Sequence, residues 1–190
     1  EQFAEAVACF QRALELYPES VEALINLGNG LTKRSLKTGL MQQDKLTDEA
    51  IACYQRALSL NPQAEEAYAN LGVALSAQDR HHEAVACYQQ ALALNPNNTQ
   101  VYNNLGNEQN LSNNLTGAVA SFQRALELDP NLVSAHYNLG NVLRSQGRLT
   151  DAITCYQRAL TLNPSAMMQS ALVLTLNCAV DYDGATIFAE

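Results

Sequence analysis

Between Ala135 and Pro164 the apolar positions fall into two sets separated by a polar break. Leu139, Gly140 and Leu143 form the first set, and Ala152, Ile153, Tyr156, Ala159 and Leu160 form the second. Each set recurs every three or four residues, the spacing of one face of an α-helix. Gln146-Gly147-Arg148 interrupts both. The pattern predicts two amphipathic helices joined by a tight turn. Thr150 or Asp151 is placed to cap the second helix, and Pro164 ends it because proline has no amide donor to continue the ladder.

The rest of the chain repeats this stretch. Ala6, Ala50, Ala84, Ala118 and Ala152 share one place; four residues later stand Phe10, Tyr54, Tyr88, Phe122 and Tyr156. Three further on come Ala13, Ala57, Ala91, Ala125 and Ala159, and then all five prolines, Pro18, Pro62, Pro96, Pro130 and Pro164. The last four prolines are 34 residues apart and the first gap is 44, so one copy carries a ten-residue insertion. Leu27-Gly28, Leu71-Gly72, Leu105-Gly106 and Leu139-Gly140 recur in step in the other helix.

A 34-residue period with Leu-Gly, Ala-x3-Phe/Tyr, Ala and Pro at these offsets resembles the tetratricopeptide repeat. The resemblance implies an all-α fold, a right-handed superhelical solenoid of antiparallel helix pairs with about five repeats. One hairpin cannot bury its own apolar face, so the hairpins must stack. The expected layout is a solenoid over residues 1–180: a half repeat at 1–20, a repeat with the insertion at 21–64, repeats at 65–98, 99–132 and 133–166, and a capping helix at 167–180. Residues 181–190 would begin a following region. In the capping helix Val173-Leu174 stands where Leu-Gly is expected.

Composition narrows the functional classes. The chain has 190 residues, 47% of them hydrophobic, and a net charge of −8. The acidic balance argues against a general nucleic-acid binder, which needs a basic footprint. No apolar run reaches the roughly 18–20 residues of a membrane span. Cys9, Cys53, Cys87 and Cys155 share one repeat place, with Ser121 in the fourth copy. They are a whole repeat apart, too far for a disulfide, and read as small packing side chains in a reducing, cytoplasmic setting. His81 and His82 lack further ligands, so no metal and no cofactor is expected. No nucleophile-base pair or phosphate loop is present, so no enzymatic activity is expected of this stretch itself. The insertion, Lys33–Leu46, holds all three lysines, Lys33, Lys37 and Lys45. It reads as a solvated hairpin tip or as a basic contact patch, and it lengthens both flanking helices if it is helical. The copy from Asn97 to Asp129 is rich in asparagine and carries Gln109 where the others have Leu31, Leu75 and Leu143. It is expected to pack least tightly.

The polar signal that remains is a ladder of asparagines. Asn26, Asn70, Asn104 and Asn138 precede Leu-Gly, and Asn29, Asn107 and Asn141 recur three residues on, with Val73 as the exception. Residues three apart share a helix face. By resemblance to the tetratricopeptide family, that face lines a concave groove. A row of amides offers both donors and acceptors and suits the backbone of an extended peptide. Asn103 and Tyr137, on the adjoining place, would add shape. The same asparagines could instead bridge neighbouring helices and hold the stack. The expected peptide-binding residues are therefore Asn26, Asn29, Asn70, Asn103, Asn104, Asn107, Tyr137, Asn138 and Asn141. The expected partners are other proteins or peptides, with no nucleic acid and no membrane. Exposed terminal helices could pair two copies into a homodimer. Charged clamp lysines are missing: the corresponding places carry Glu22, Glu66, Gln100 and Ser134.

An asparagine ladder on such repeats is similar to the targeting half of O-linked N-acetylglucosamine transferases and their SPINDLY-like relatives. Cys178–Glu190 resembles the junction at which bacterial members enter the glycosyltransferase part, with Asp183, Ile187, Phe188, Ala189 and Glu190 opening the next helix. The resemblance implies an acceptor-recruiting role within a glycosyltransferase. The alternative from another class is a non-enzymatic scaffold for a protein complex.

Overall fold

The computed structural model describes residues 2–35 and 40–187, with side chains over 4–35 and 43–179. Part of the insertion (Leu36, Lys37, and the side chains of Leu40 and Met41) and the tail residues Phe188, Ala189 and Glu190 lie outside the described residues. The chain divides into two compact units, Glu1–Pro96 and Asn97–Glu190. The first holds α1 (Gln2–Leu16), α2 (Val21–Ser35), α3 (Leu40–Leu60), α4 (Glu65–Ser76) and α5 (His81–Leu94). The second holds α6 (Thr99–Leu111), α7 (Leu115–Leu128), α8 (Val133–Ser145), α9 (Leu149–Leu162) and α10 (Ala166–Ile187). All elements described are α-helices, as the periodicity predicts. Within each unit every helix packs on the next, and the first helices of neighbouring pairs (α2 and α4, α6 and α8) also touch. This is the stacking of helix pairs expected of a solenoid.

The repeated glycine and aromatic explain one another. A Cβ added to Gly28 would lie 2.5 Å from Tyr54 Cε1, and at Gly72 2.5 Å from Tyr88 Cε1. At Gly106 and Gly140 the distances to Phe122 and Tyr156 are both 2.7 Å. Each ring thus lies on bare backbone of the facing helix. The flanking alanines (Ala84 and Ala91 around Tyr88, Ala118 and Ala125 around Phe122) are fully buried. Burying each ring contributes roughly 2–3 kcal/mol. In α10 the glycine place is taken by Leu174, so an aromatic helix cannot seat there. Met168, Ala171 and Thr175 face inward, and Met167, Val173, Leu174 and Leu176 are exposed.

The hairpin tips follow a backbone rule. Asp79, Asn113 and Gly147, 34 residues apart, all take positive φ (57°, 58° and 74°). Two or three residues after each first helix stops, the chain takes this conformation and turns back: Arg80, Asn114 and Arg148 donate their amides to Leu75, Gln109 and Leu143 carbonyls at 2.7–3.0 Å. This is a left-handed helix stop, which favours Gly, Asn and Asp. Asn114 then caps α7 by accepting from the Gly117 amide at 3.1 Å, and Asn98 caps α6 through Val101 at 3.1 Å. Thr150 and Asp151 do not cap α9. The helix already begins at Leu149, no side chain caps it, and Asp151 instead pairs with Arg148 at 2.6 Å.

The asparagine-rich copy does not pack loosely: α6 meets α7 as closely as α8 meets α9. Its two exceptions compensate for each other. Ser121, where the other copies have cysteine, donates to Gln109 Oε1 at 2.7 Å. A hydrogen bond thus stands where the other copies carry leucine and cysteine. Gln109→Leu should therefore cost about 1 kcal/mol by leaving the Ser121 hydroxyl unpaired, and adding Ser121→Cys should restore stability. Urea unfolding of the single and double variants checks this; equal midpoints for both would contradict it. The cysteines are less buried than their regular place suggests. Cys53, Cys87 and Cys155 are half-buried and Cys9 is exposed. Burial still pushes the Cys87 thiol up to about 11, with Glu83 adding to the effect.

Candidate functional site

The asparagine ladder lies on the first helices, and in the first unit it is built into a network. Asn29 is at the centre. Its Oδ1 accepts from Tyr54 Oη at 2.8 Å and from Asn70 Nδ2 at 2.8 Å. Its own Nδ2 donates to Glu66 Oε1 at 3.2 Å, and Asn70 Nδ2 also reaches that oxygen at 3.5 Å. Thr32 Oγ1 lies 3.3 Å from Tyr54 Oη. Tyr54 belongs to the second helix, α3. Its ring fills the glycine gap and its hydroxyl emerges between α2 and α4. There it forms part of the wall of a recess of about 300 Å³ that Lys33 and Val73 also line. Burial, the largest cause, raises the Tyr54 pKa to about 12; the Thr32 hydrogen bond opposes the shift.

A second recess of about 420 Å³ lies between the N-terminal turns of α2 and α4. Val21, Ile25 and Ala64 give it apolar surface, and Glu22, Glu65 and Glu66 surround it. Asn26 lines it as well. Asn26 is half-buried. Its amide makes no hydrogen bond to any described residue.

In the second unit the ladder is used unevenly. Asn141 Oδ1 accepts from Tyr156 Oη at 2.8 Å, repeating the Asn29–Tyr54 pair. In the copy just before it, Phe122 replaces tyrosine and has no hydroxyl to give, and the half-buried Asn107 is left without a partner among the described residues. Asn104 Oδ1 accepts from Gln100 at 3.1 Å, which leaves its Nδ2 unused. Asn138 Nδ2 reaches Asn103 Oδ1 at a long 3.4 Å. Asn103 is 3% exposed, so its amide is turned into the helix stack and does not offer groove surface. An asparagine at that place was expected to add shape to the groove; its short side chain instead folds between α6 and α8. Tyr137 is half-buried, its ring 5.9 Å from that of Tyr156 at 51°.

The nine predicted residues therefore separate into three kinds. Asn29 and Asn141 are held by tyrosine hydroxyls, and Asn103 is buried. Asn26 and Asn107 carry unused amides. Asn70, Asn104, Asn138 and Tyr137 are partly engaged and partly open. Sequence reasoning passed over the tyrosine hydroxyls, Glu66 and Thr32 as part of this face. The sequence signal was weak: Tyr88 stands with Val73 and Phe122 with Asn107, so aromatic and asparagine vary independently, and only the Asn29/Tyr54 and Asn141/Tyr156 copies keep both. Losing Asn29 should be costly and losing Asn26 should not. We expect Asn29→Ala to destabilise by about 1–2 kcal/mol, since it removes the nearest acceptor of both Tyr54 Oη and Asn70 Nδ2 and leaves them only the longer contacts to Thr32 and Glu66. We expect Asn26→Ala to stay within about 0.5 kcal/mol. Similar losses for both in thermal melts would contradict the division.

Among the described residues no group of three His, Cys, Asp or Glu could hold a metal ion, and no helix is long and apolar enough to cross a membrane.

This arrangement of glycine-aromatic pairs and left-handed tips defines a helical-repeat protein. Tetratricopeptide repeat families match residues 65–98, 133–166 and 87–120, a further one matches 1–31, and a TPR repeat family matches 42–79 and 106–144. The chain belongs to the tetratricopeptide repeat proteins. No curated protein sequence matches it. Among solved structures, MamA superposes with a TM-score of 0.74 at 23% identity, covering 84% of this chain and 88% of that one. YrrB, described as a TPR protein with an unusual peptide-binding site, gives 0.71 at 23% identity, covering 91% and 83%. At these identities the likeness is one of fold.

Proposed function

We propose that the first-helix face of this protein binds an extended segment of another protein. The observation that carries the reading is that each unit keeps amide groups on this face that the chain itself does not use. These are Asn26 and the Asn70 oxygen in the first unit, and Asn107 and the Asn104 nitrogen in the second. A half-buried amide without a partner in the chain still meets water, and a peptide backbone can take that water's place. The network around Asn29 holds the neighbouring groups in place, which lowers the ordering cost of binding. YrrB offers a precedent for peptide binding on the same fold.

Panning a displayed random-peptide library on the protein tests this. Selected peptides should lose about tenfold or more in affinity on Asn26→Ala or Asn107→Ala, with melting temperatures unchanged. Failure to select any peptide, or binding indifferent to both substitutions, would remove the reading.

The finer reading is that the bound segment is the acceptor of a glycosyltransferase joined to these repeats. The asparagine ladder and the tail resemblance support it, the latter through Asp183 and Ile187 and the residues after them. The coding sequence beyond Glu190 decides it. Two α/β lobes would support acceptor recruitment, and further repeats or a stop would leave a scaffold that brings proteins together.

A further inference from the structure

We infer that the segment bound by the first unit carries a lysine or arginine, seated in the recess between the N-terminal turns of α2 and α4. The inference rests on the peptide-binding reading and adds the chemistry of the partner. The recess, about 420 Å³, has two kinds of wall. Val21, Ile25 and Ala64 form an aliphatic floor, with Ile25 only 7% exposed. Glu22 comes from α2 and Glu65 and Glu66 from α4, and no basic residue lines the space. Glu22 has no ion pair or hydrogen bond within the described chain. Glu66 is oriented from behind, because Asn29 and Asn70 both donate to its Oε1, which leaves Oε2 free.

An aliphatic stem ending in a cation matches both walls at once: the methylenes lie on the floor and the charged head meets the carboxylates. A purely apolar side chain would desolvate the carboxylates without compensation, and an acidic one would be repelled. The selectivity belongs to the first unit. In the second, the places of Glu22 and Glu66 are taken by Gln100 and Ser134, which are neutral. The net charge of −8 draws a basic segment in at longer range.

Panning the random-peptide library on the wild-type protein and on an E22Q/E66Q variant provides the test. Glutamine keeps the oxygen that Asn29 and Asn70 bond, and both glutamates are exposed, so folding should be unchanged. The expected result is a several-fold enrichment of Arg or Lys at one position of the wild-type sequences and its loss in the variant. A selected peptide should bind about tenfold more weakly when E22Q/E66Q is introduced, or when its basic residue becomes norleucine. Selected peptides without a basic position, or with affinity indifferent to E22Q/E66Q, would overturn the inference while the peptide-binding reading stands. If no peptide is selected, both fail together.

Discussion

Gly72→Ala should lower stability by roughly 1–3 kcal/mol, although alanine is the better helix former by about 1 kcal/mol. The added Cβ would stand 2.5 Å from Tyr88 Cε1 and 2.8 Å from Cδ1. These atoms belong to the rigid ring, not to a flexible tip. The ring cannot retreat: Tyr88 is 1% exposed and Ala84 and Ala91 beside it are fully buried. The helices α4 and α5 must separate to admit the methyl. The companion measurement is the same substitution in a Tyr88→Ala background. Tyr88→Ala alone should cost about 3–5 kcal/mol by leaving a cavity. With the ring gone, Gly72→Ala should become neutral or stabilising, by up to about 1 kcal/mol from helix propensity. The sign of the substitution reverses between the two backgrounds, measured as urea midpoints. An equal cost in both would show that the glycine serves backbone conformation and not the ring.

The recurrence of glycine and aromatic was legible in the sequence, because small and large residues recur in fixed register; that each ring lies on the glycine of its own helix pair, and not toward the next pair, shows only in the packing. The hairpin tips were half legible. Gly147 announced a break, but Asp79 and Asn113 at the same place disclosed the left-handed stop only once φ was known. The capping expectation at Thr150 or Asp151 failed because α9 begins earlier, at Leu149, so the cap place falls on Arg148, whose guanidinium has no acceptor to offer an amide, whereas Asn114 at the same place caps α7. The amide ladder was the least legible part. Spacing put the asparagines on one face, and spacing cannot say which amides the chain consumes. The deciding residue lies on the other helix of the pair. A tyrosine there sends its hydroxyl through to Asn29 or Asn141, and Phe122 leaves Asn107 unclaimed. Similarly, Gln109 looked like a packing defect because Ser121, its partner, is twelve residues away on α7.

The tyrosine link also makes the first unit sensitive to alkali. Tyr54 has its pKa raised from 10.0 to about 12, chiefly by burial. Tyrosine is neutral when protonated, so the folded chain keeps the proton over an interval in which the unfolded chain releases it. Its stabilising contribution is intact below pH 10 and is lost as the pH rises through 12. Linkage puts the loss from this residue at about 1 kcal/mol by pH 11 and about 2 kcal/mol by pH 12. The network gives the loss a mechanism. Tyr54 donates to Asn29 Oδ1, and a phenolate would face that oxygen with no proton between them. Turning the Asn29 amide round to donate would set its nitrogen against Asn70 Nδ2, 2.8 Å from the same atom. Tyr54→Phe should therefore be less stable than the wild type near neutral pH, by about 1 kcal/mol for the lost hydrogen bond. It should lose less on going to pH 11, so the two stabilities converge and then cross. Tyr156, shifted in the same direction by burial, is present in both proteins and drops out of the comparison. Parallel pH profiles for the wild type and Tyr54→Phe would mean that the hydroxyl is open to solvent in the folded chain, and that the Asn29 amide is free for a ligand after all.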